Sequence, residues 1–478
     1  MGLAKITIWL GLATLLGIGA IALLSVADSA SANRRVTQEL LQKMRTETQR
    51  QKAVENLKSA AAKLVNLLAQ EKFEEVTKSF DSTMQKALPP EKLKATWAAV
   101  LEEAGPFKRQ AGSKTLKEDK YDVVVVNCEF EKTRLDIRVV YDSNKKVAGL
   151  FIVPPSQAAD TYKPPSYVNR EAFQEKAVTI GSAPSAVPGM LTVPKGEGPF
   201  PAVVLVQGSG PHDRDETIGP NKPFRDLAWG LASQGVAVLR YDKRTRVHPG
   251  QFSGKFTVKE EATDDAIAAI ALLRQTPSID PDKIFLLGHS LGGMLAPRIA
   301  QQEPSLAGII ILAGNTRPFE DLYVAQSEYL AKLDDRITPR EKQAIAAFKQ
   351  QAERIKDRDL RKEPDTELLL GAPPAYWLDL KDYKQTEVAR ELKQSILILQ
   401  GERDYQVTLD DFRGWQKALS DHKNATFKTY SNLNHLFMPG EGKSTPQEYQ
   451  VANHVDAVVI TDIATWVKQS VLQTYGNP

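Results

Sequence analysis

The sequence predicts an α/β protein: a mostly parallel sheet with helices on both faces and an inserted helical cap, preceded by a small α+β domain. Three observations predict it. Beyond residue 170, short apolar runs alternate with helical periods, the pattern of parallel strands joined by crossover helices. One run, Lys283-Ile284-Phe285-Leu286-Leu287, passes directly into Gly288-His289-Ser290-Leu291-Gly292-Gly293 and then into the helical rhythm of Met294 to Ala300. Before residue 155, three helical stretches are followed by three alternating runs, the order of an α+β unit.

At 478 residues the chain is longer than one ordinary core supports. Hydrophobic content of 42% and charged content of 25% are those of a folded globular protein. A net charge of +3 gives no electrostatic reason to expect a nucleic-acid partner. Cys128 is the only cysteine, so no intrachain disulfide forms, and its place in Val123-Val124-Val125-Val126-Asn127-Cys128 reads as a buried structural thiol.

Taken in order, Ile6 to Ala27 carries no charge, and Ala30-Ser31-Ala32 has the small-X-small form cut by signal peptidase. Residues 1–32 therefore read as a signal peptide or, because about 22 uncharged residues suffice to span a bilayer, as a retained membrane anchor. Both readings place the body of the protein outside the cytoplasm, either secreted or periplasmic, or held at a membrane by residues 6–27. Residues 33–52 are a polar, helix-permissive lead-in.

In the small α+β domain, 53–154, Val54, Leu57, Ala61, Leu64, Leu67 and Leu68 recur at helical spacing. A second helix is expected over Phe73–Phe80 and a third up to Gly105-Pro106. Tyr121–Phe130, Leu135–Tyr141 and Val147–Val153 then alternate as an antiparallel meander. The Pro-rich stretch 155–169 is the linker.

In the large domain, 170–478, strands are expected at Lys176–Ile180, Gly189–Val193, Ala202–Val206, Val236–Arg240, Ile284–Leu287, Leu306–Leu312, Ile396–Leu399 and Ala425–Tyr430. Helices are expected at Phe224–Gln234, Thr257–Gln275 and Val451–Gln473. The charged, helical stretch 317–392 interrupts the alternation and reads as a cap over the strand ends.

Gly-X-Ser-X-Gly between a strand and a helix is a nucleophile turn, with Ser290 Oγ exposed at its tip. Ser290 needs a base and the base needs an orienting acid. Ile396-Leu397-Ile398-Leu399-Gln400-Gly401-Glu402-Arg403-Asp404 ends a buried strand in acids, and Asn434-His435-Leu436-Phe437 puts a histidine in the loop after the last strand. The order Ser290, Asp404, His435 is that of the α/β-hydrolase fold, with Glu402 the alternative acid. For the oxyanion hole, the Gly-rich loop Gln207-Gly208-Ser209-Gly210-Pro211 supplies Ser209 N–H, with Gly208 as its neighbouring alternative, and Leu291 N–H supplies the second donor. Tyr376, Trp377 and Tyr383 are candidates for an acyl pocket or for the cap's own core. Asp213, Arg214 and Asp215 read as a brace for the loop, Asp242 and Arg244 as structural, and His289 as packing. The remaining histidines lack metal-ligand spacing, so no metal and no cofactor are expected.

Residues 202–244 and 283–437 resemble the secreted α/β-hydrolase esterases related to the dienelactone hydrolases and to the acyl-CoA thioesterase C-terminal family. The resemblance is carried by Gln207-Gly208-Ser209-Gly210-Pro211-His212-Asp213-Arg214-Asp215-Glu216, Tyr241-Asp242-Lys243-Arg244, Gly288-His289-Ser290-Leu291-Gly292-Gly293, Gly401-Glu402-Arg403-Asp404 and Asn434-His435-Leu436-Phe437. Gln207 stands where many such hydrolases carry histidine, Ser290 replaces the cysteine of true dienelactone hydrolases, and Leu291 replaces the tyrosine of prolyl-oligopeptidase-type peptidases. The small domain resembles a cone-shaped, nuclear-transport-factor-like domain of unknown function, with protein contact or substrate gating as the roles to be tested. The function expected is a serine carboxylesterase acting on small acyl esters through an acyl-enzyme. A thioesterase, a short-peptide peptidase or an acyltransferase on the same residues is the alternative chemistry. A surface binding protein with a vestigial hydrolase domain is the alternative class.

Overall fold

A computed structural model describes residues 54–118, 121–153, 162–252 and 254–474. The signal or anchor segment, the polar lead-in and the first half of the linker lie outside these residues. No helix among the described residues is long and apolar enough to cross a membrane. The chain divides into two compact units, 1–158 and 159–478.

In the first unit, helix α1 covers 54–69 and buries Leu57, Ala61, Leu64, Val65 and Leu68, the stripe set by the 3.6-residue period. The second expected helix breaks in two. Helix α2 (Phe73–Thr77) stops early because Phe80 forms a bridge with Val147, fixed by Val147 N–H donating to Ser79 O and Asp81 N–H to Val147 O, each at 2.9 Å. The Asp81 carboxylate then caps α3 (Ser82–Ala87) by accepting from Met84 N–H at 2.7 Å. Helix α4 (Pro90–Ala104) starts with proline at N1 and ends at Gly105, whose φ of 78° favours glycine.

The sheet is an antiparallel meander of four strands in sequence order, β1 (Phe107–Glu118), β2 (Tyr121–Phe130), β3 (Arg134–Tyr141) and β4 (Val147–Val153). Strand β1 was not expected. Its sequence, Phe107-Lys108-Arg109-Gln110-Ala111-Gly112-Ser113-Lys114, has no apolar alternation, since it is a charged edge strand whose pairing is set by β2. Trp97 sits against Phe107 and Phe130 in this unit's core. Cys128 is buried there too, and burial pushes its thiol up to about 12.

The second unit is built on an eight-stranded sheet. Its strands are β5 (Phe173–Ile180), β6 (Val187–Pro194), β7 (Phe200–Val206), β8 (Ala237–Tyr241), β9 (Ile279–His289), β10 (Gly308–Leu312), β11 (Ser395–Gly401) and β12 (Ala425–Tyr430). Their order is β12-β11-β10-β9-β7-β8-β6-β5; pairs from β8 through β12 are parallel, and β6 runs antiparallel to both β5 and β8. The central strands are covered on both faces, so they read as continuous apolar runs: Ile309, Ile310 and Ile311 are all fully buried. Each such side chain contributes roughly 1.5–3 kcal/mol by leaving water.

Helices α5 (Pro223–Ser233), α6 (Arg244–Val247), α7 (Asp264–Arg274), α8 (Leu291–Gln302), α9 (Phe319–Ala331), α10 (Pro339–Lys356), α11 (Pro374–Asp382), α12 (Gln385–Glu391), α13 (Leu409–Ala418) and α14 (Ala457–Thr474) complete it. Two expected helices are shorter than their apolar periods. The Thr257–Gln275 stretch opens with a π-helical turn, Lys259–Thr263, before α7. The last helix begins at Ala457 rather than Val451. Asn453 N–H donates to Asn221 Oδ1 at 2.8 Å and Val455 N–H to Asp226 Oδ2 at 2.9 Å, which keeps the preceding residues out of the helix. Helices α9 to α12 form the insertion between β10 and β11, over the residues expected to be a cap.

Candidate active site

Ser290, Asp404, His435 and Ser209 follow β9, β11, β12 and β7, so all four leave the sheet at the carboxyl ends of its parallel strands. Ser290 has φ 54° and ψ −116°, a conformation that costs a non-glycine residue about 1–3 kcal/mol. It is held by Ser290 N–H donating to Leu312 O and Met294 N–H donating to Ser290 O, both at 2.9 Å. The flanking glycines are required by space. A Cβ on Gly288 would fall 2.1 Å from Gly292 O, and one on Gly292 would fall 2.2 Å from Val206 O. Helix α8 begins at Leu291, so its unsatisfied N–H groups face the tip of the turn.

His435 is buried and its Nδ1–H donates to Asp404 Oδ2 at 2.6 Å. Asp404 is held in turn: Oδ1 accepts from Gln406 N–H at 2.8 Å and Val407 N–H at 3.0 Å, and Oδ2 accepts from Gln400 Nε2 at 3.2 Å. Glu402, the alternative acid, is exposed and accepts from Thr429 Oγ1 at 2.7 Å instead. Asn434 shapes the histidine loop by accepting from Leu436 N–H and Met438 N–H at 3.0 and 3.2 Å. Among the described residues no hydrogen bond joins Ser290 Oγ to His435 Nε2, a bond that in serine hydrolases commonly tightens only in the substrate complex.

The loop after β7 lies against Ser290, since a Cβ on Gly208 would stand 3.1 Å from Ser290 Cβ. Gly208 N–H is not available as an oxyanion donor, because it donates to Glu216 Oε1 at 2.6 Å. The N–H groups of Ser209 and Leu291 have no partner among the described residues. The brace behind the loop is ionic. Arg214 forms a fork on Asp242 (Nη2 to Oδ2 at 2.8 Å, Nε to Oδ1 at 3.0 Å), and Asp215 pairs with Arg225 at 2.6 Å and with Arg240. Arg244 pairs with Asp265.

His289 is more than packing, contrary to the expectation from its place in the turn. It is buried, its Nε2–H donates to His435 O at 3.0 Å, and its Nδ1 makes an ion contact with Glu216 Oε2 at 3.0 Å whose angle falls short of a hydrogen bond. Burial works against the charged form of His289, but the Glu216 charge and the His435 carbonyl outweigh it and raise the imidazole above the usual histidine range. Burial likewise opposes the Glu216 carboxylate, and the charge of His289 overcomes it and holds Glu216 below the ordinary glutamate value. This pair joins the loop after β7, the residue before Ser290 and the backbone of His435. Only the presence of Glu216 within the Gly-rich motif hinted at it.

Three comparisons bear on this geometry. A family model described as serine aminopeptidase, S33, matches residues 221–443, and one described as a protein of unknown function (DUF3887) matches residues 61–150. Esterase EstD of Thermotoga maritima is 38% identical over 405 residues, covering 84% of this chain and 93% of that one. The chain belongs to this esterase family. Esterase FrsA of Klebsiella pneumoniae subsp. pneumoniae is 29% identical over 120 residues, about a quarter of each chain (25% and 26%). The solved structure of Est1E from Butyrivibrio proteoclasticus, at 17% identity, covers 63% of this chain and 99% of that one with a TM-score of 0.41.

In this α/β-hydrolase esterase the insertion lines one side of an open cleft of about 420 Å³ beside the loop after β7. Ser209, Gly210 and Pro211 form one wall, and Phe256, Phe319, Tyr323, Tyr376 and Trp377 supply an aromatic lining. Trp377 also serves the cap's own core: its Nε1–H donates to Leu369 O at 2.7 Å and its ring stacks on Phe319. Tyr383 belongs to the attachment instead. Its hydroxyl donates to Met294 O at 2.8 Å, and Arg298 of α8 pairs with Asp379 at 2.9 Å, which ties the esterase's insertion to the helix that follows Ser290. No group of metal-ligating side chains occurs among the described residues.

Proposed function

We propose that this carboxylic ester hydrolase works by acyl transfer through Ser290. His435 Nε2 takes the proton from Ser290 Oγ as the oxygen attacks the ester carbonyl, and Asp404 holds the imidazole in the tautomer that leaves Nε2 free to accept. The oxyanion of the tetrahedral intermediate accepts from Ser209 N–H and Leu291 N–H. The intermediate collapses, His435 hands its proton to the departing alkoxide, and an acyl ester remains on Ser290. Water, deprotonated by His435, attacks that ester; the second intermediate releases the carboxylic acid and Ser290 recovers its proton.

The observation that carries this reading is the His435–Asp404 hydrogen bond at 2.6 Å at the same sheet edge as a serine held at positive φ immediately before a helix. The aromatic cavity next to Ser209 supports an apolar acyl or alcohol group as the part of the substrate that is bound. Purified protein exposed to a fluorophosphonate probe is expected to carry one adduct, on Ser290. Ser290→Ala is expected to lose p-nitrophenyl ester turnover by several orders of magnitude with its thermal transition unchanged. Turnover near that of wild type by this variant rejects the mechanism. Acyl-CoA and aminoacyl anilides in the same assay test the thioesterase and peptidase alternatives.

The uncharged stretch Ile6–Ala27 and the sequence Ala30-Ser31-Ala32 support export with cleavage before Asn33. Mature protein whose N-terminal sequence begins at Met1 or Gly2 rejects cleavage and leaves the anchor.

A further inference from the structure

The carbonyl of Gly208 is held by a charge. Lys243, just beyond β8, is 1% exposed, and its Nζ donates to Gly208 O at 2.7 Å and to Glu261 Oε1 at 2.6 Å. Removing an ammonium from water costs several kcal/mol even when it is paired, and an apolar side chain often fills such a space at lower cost. Glu261 reaches it from the π-helical turn ahead of α7, an irregular turn of the kind found at functional sites. The pair therefore calls for a reason beyond packing.

The peptide group itself supplies one. The Gly208–Ser209 bond is not among the cis peptides, so its C=O and N–H point in opposite directions across one rigid plane. Anchoring the oxygen on Lys243 fixes the direction of Ser209 N–H, the group with no hydrogen-bond partner beside Ser290. A cation at the oxygen also polarises the amide, which makes the N–H a stronger donor. The neighbouring peptide groups are pinned as well, Gly208 N–H on Glu216 and Ser209 O on His212 Nε2–H at 2.7 Å. A flip of the 208–209 peptide would aim a carbonyl at the developing oxyanion and strip Lys243 of one of its two acceptors.

We infer that Lys243 is a positioning residue for the oxyanion hole, acting through the Gly208–Ser209 peptide to hold and strengthen the Ser209 N–H donor, with Glu261 fixing its ammonium. The inference rests on acyl transfer through Ser290. Because the oxyanion exists only in the transition state and the intermediates, loss of Lys243 acts on kcat and not on ground-state binding.

The test compares Lys243→Met, Lys243→Arg and Ser290→Ala on p-nitrophenyl acetate, together with inhibition by a trifluoromethyl ketone, which forms a hemiketal oxyanion on the serine. For Lys243→Met, kcat is expected to fall about 10- to 100-fold with KM within about twofold of wild type, and ketone affinity to fall in parallel with kcat. Lys243→Arg, which keeps a charged donor, is expected to recover most of the loss. A Lys243→Met enzyme with wild-type kcat overturns the inference. So does a loss confined to KM, or a loss of kcat with ketone affinity unchanged. If Lys243→Met does not fold, Lys243→Gln, which keeps a neutral donor in the same space, is read by the same criteria. Ser290→Ala separates the two claims: full turnover there rejects acyl transfer through Ser290, whereas an inactive Ser290→Ala beside a Lys243→Met enzyme at wild-type kcat rejects only the role of Lys243.

Discussion

The two units of this chain treat buried charge differently. Among the described residues of the first unit only Thr77 and Asp136 are buried polar side chains, and Asp136 is met by Asn127 Nδ2–H at 2.6 Å. Its ion pairs, such as Lys117–Asp122 at 3.0 Å, lie at the surface. The second unit buries Asp215, Glu216, Lys243, His289, Asp404 and His435 around one set of strand ends. Apolar packing is the less costly way to make a core, since each buried charge must recover its desolvation from partners. A fold that nevertheless concentrates charges at one place uses them for geometry. In the second unit they fix the directions of a few N–H groups and one imidazole, while the first unit is a packed α+β body in which no such cluster occurs among the described residues.

The largest effect expected on this contrast comes from Asp404→Asn, which keeps the shape of the side chain but favours the wrong imidazole tautomer. It is expected to lower kcat roughly a thousandfold to ten-thousandfold in steady-state ester hydrolysis, with little change in thermal stability. Trp97→Ala should do the reverse. Removing this buried ring from between Phe107 and Phe130 is expected to destabilise the first unit by about 3–5 kcal/mol in chemical denaturation, with kcat and KM unchanged. A drop in kcat from Trp97→Ala would break the contrast, because it would couple the first unit to catalysis.

Glu216→Gln is expected to have a smaller effect, shaped by pH. The folded pKa of Glu216 is depressed, so its contribution is complete above its ordinary value of 4.5 and is lost as pH falls through the folded value. The folded pKa of His289 is raised, so its contribution is complete below its ordinary value of 6.5 and is lost as pH rises through the folded value. The difference in melting temperature between wild type and Glu216→Gln should therefore be greatest between about pH 4.5 and 6.5 and shrink on both sides. The other groups facing this pair are His212, Asp404, the Gly208 N–H and the His435 carbonyl. A difference independent of pH would mean that shape alone holds the loop. Lys117→Ala is the smallest case: its surface pair with Asp122 is expected to contribute less than about 1 kcal/mol to stability, and high salt should erase the difference.

How much of this was legible depends on how far each feature reaches along the chain. The strand-turn-helix around Ser290 was readable because its cause is local: the approach of Gly288 to Gly292 O leaves no room for a Cβ. The β11 and β12 runs and the acid and histidine beyond them were readable because doubly covered parallel strands are apolar throughout. Strand β1 was not, because a charged edge strand takes its conformation from β2. The ends of α2 and α14 were misjudged for a related reason, since bonds to Val147 in one case and to Asn221 and Asp226 in the other stop helices whose periodicity continues.

The sequence by itself determined which strand end each candidate reactive side chain leaves from, because steric exclusion and hydrophobic period act over a few residues. Only the tertiary structure decided that Asp404 rather than Glu402 meets His435, that Gly208 N–H is already spent on Glu216, and that Lys243 grips the Gly208 carbonyl. Those outcomes depend on which distant segments exclude water from one another. A charge finds its partner in the folded chain only after burial has removed the solvent that would otherwise have served every candidate equally.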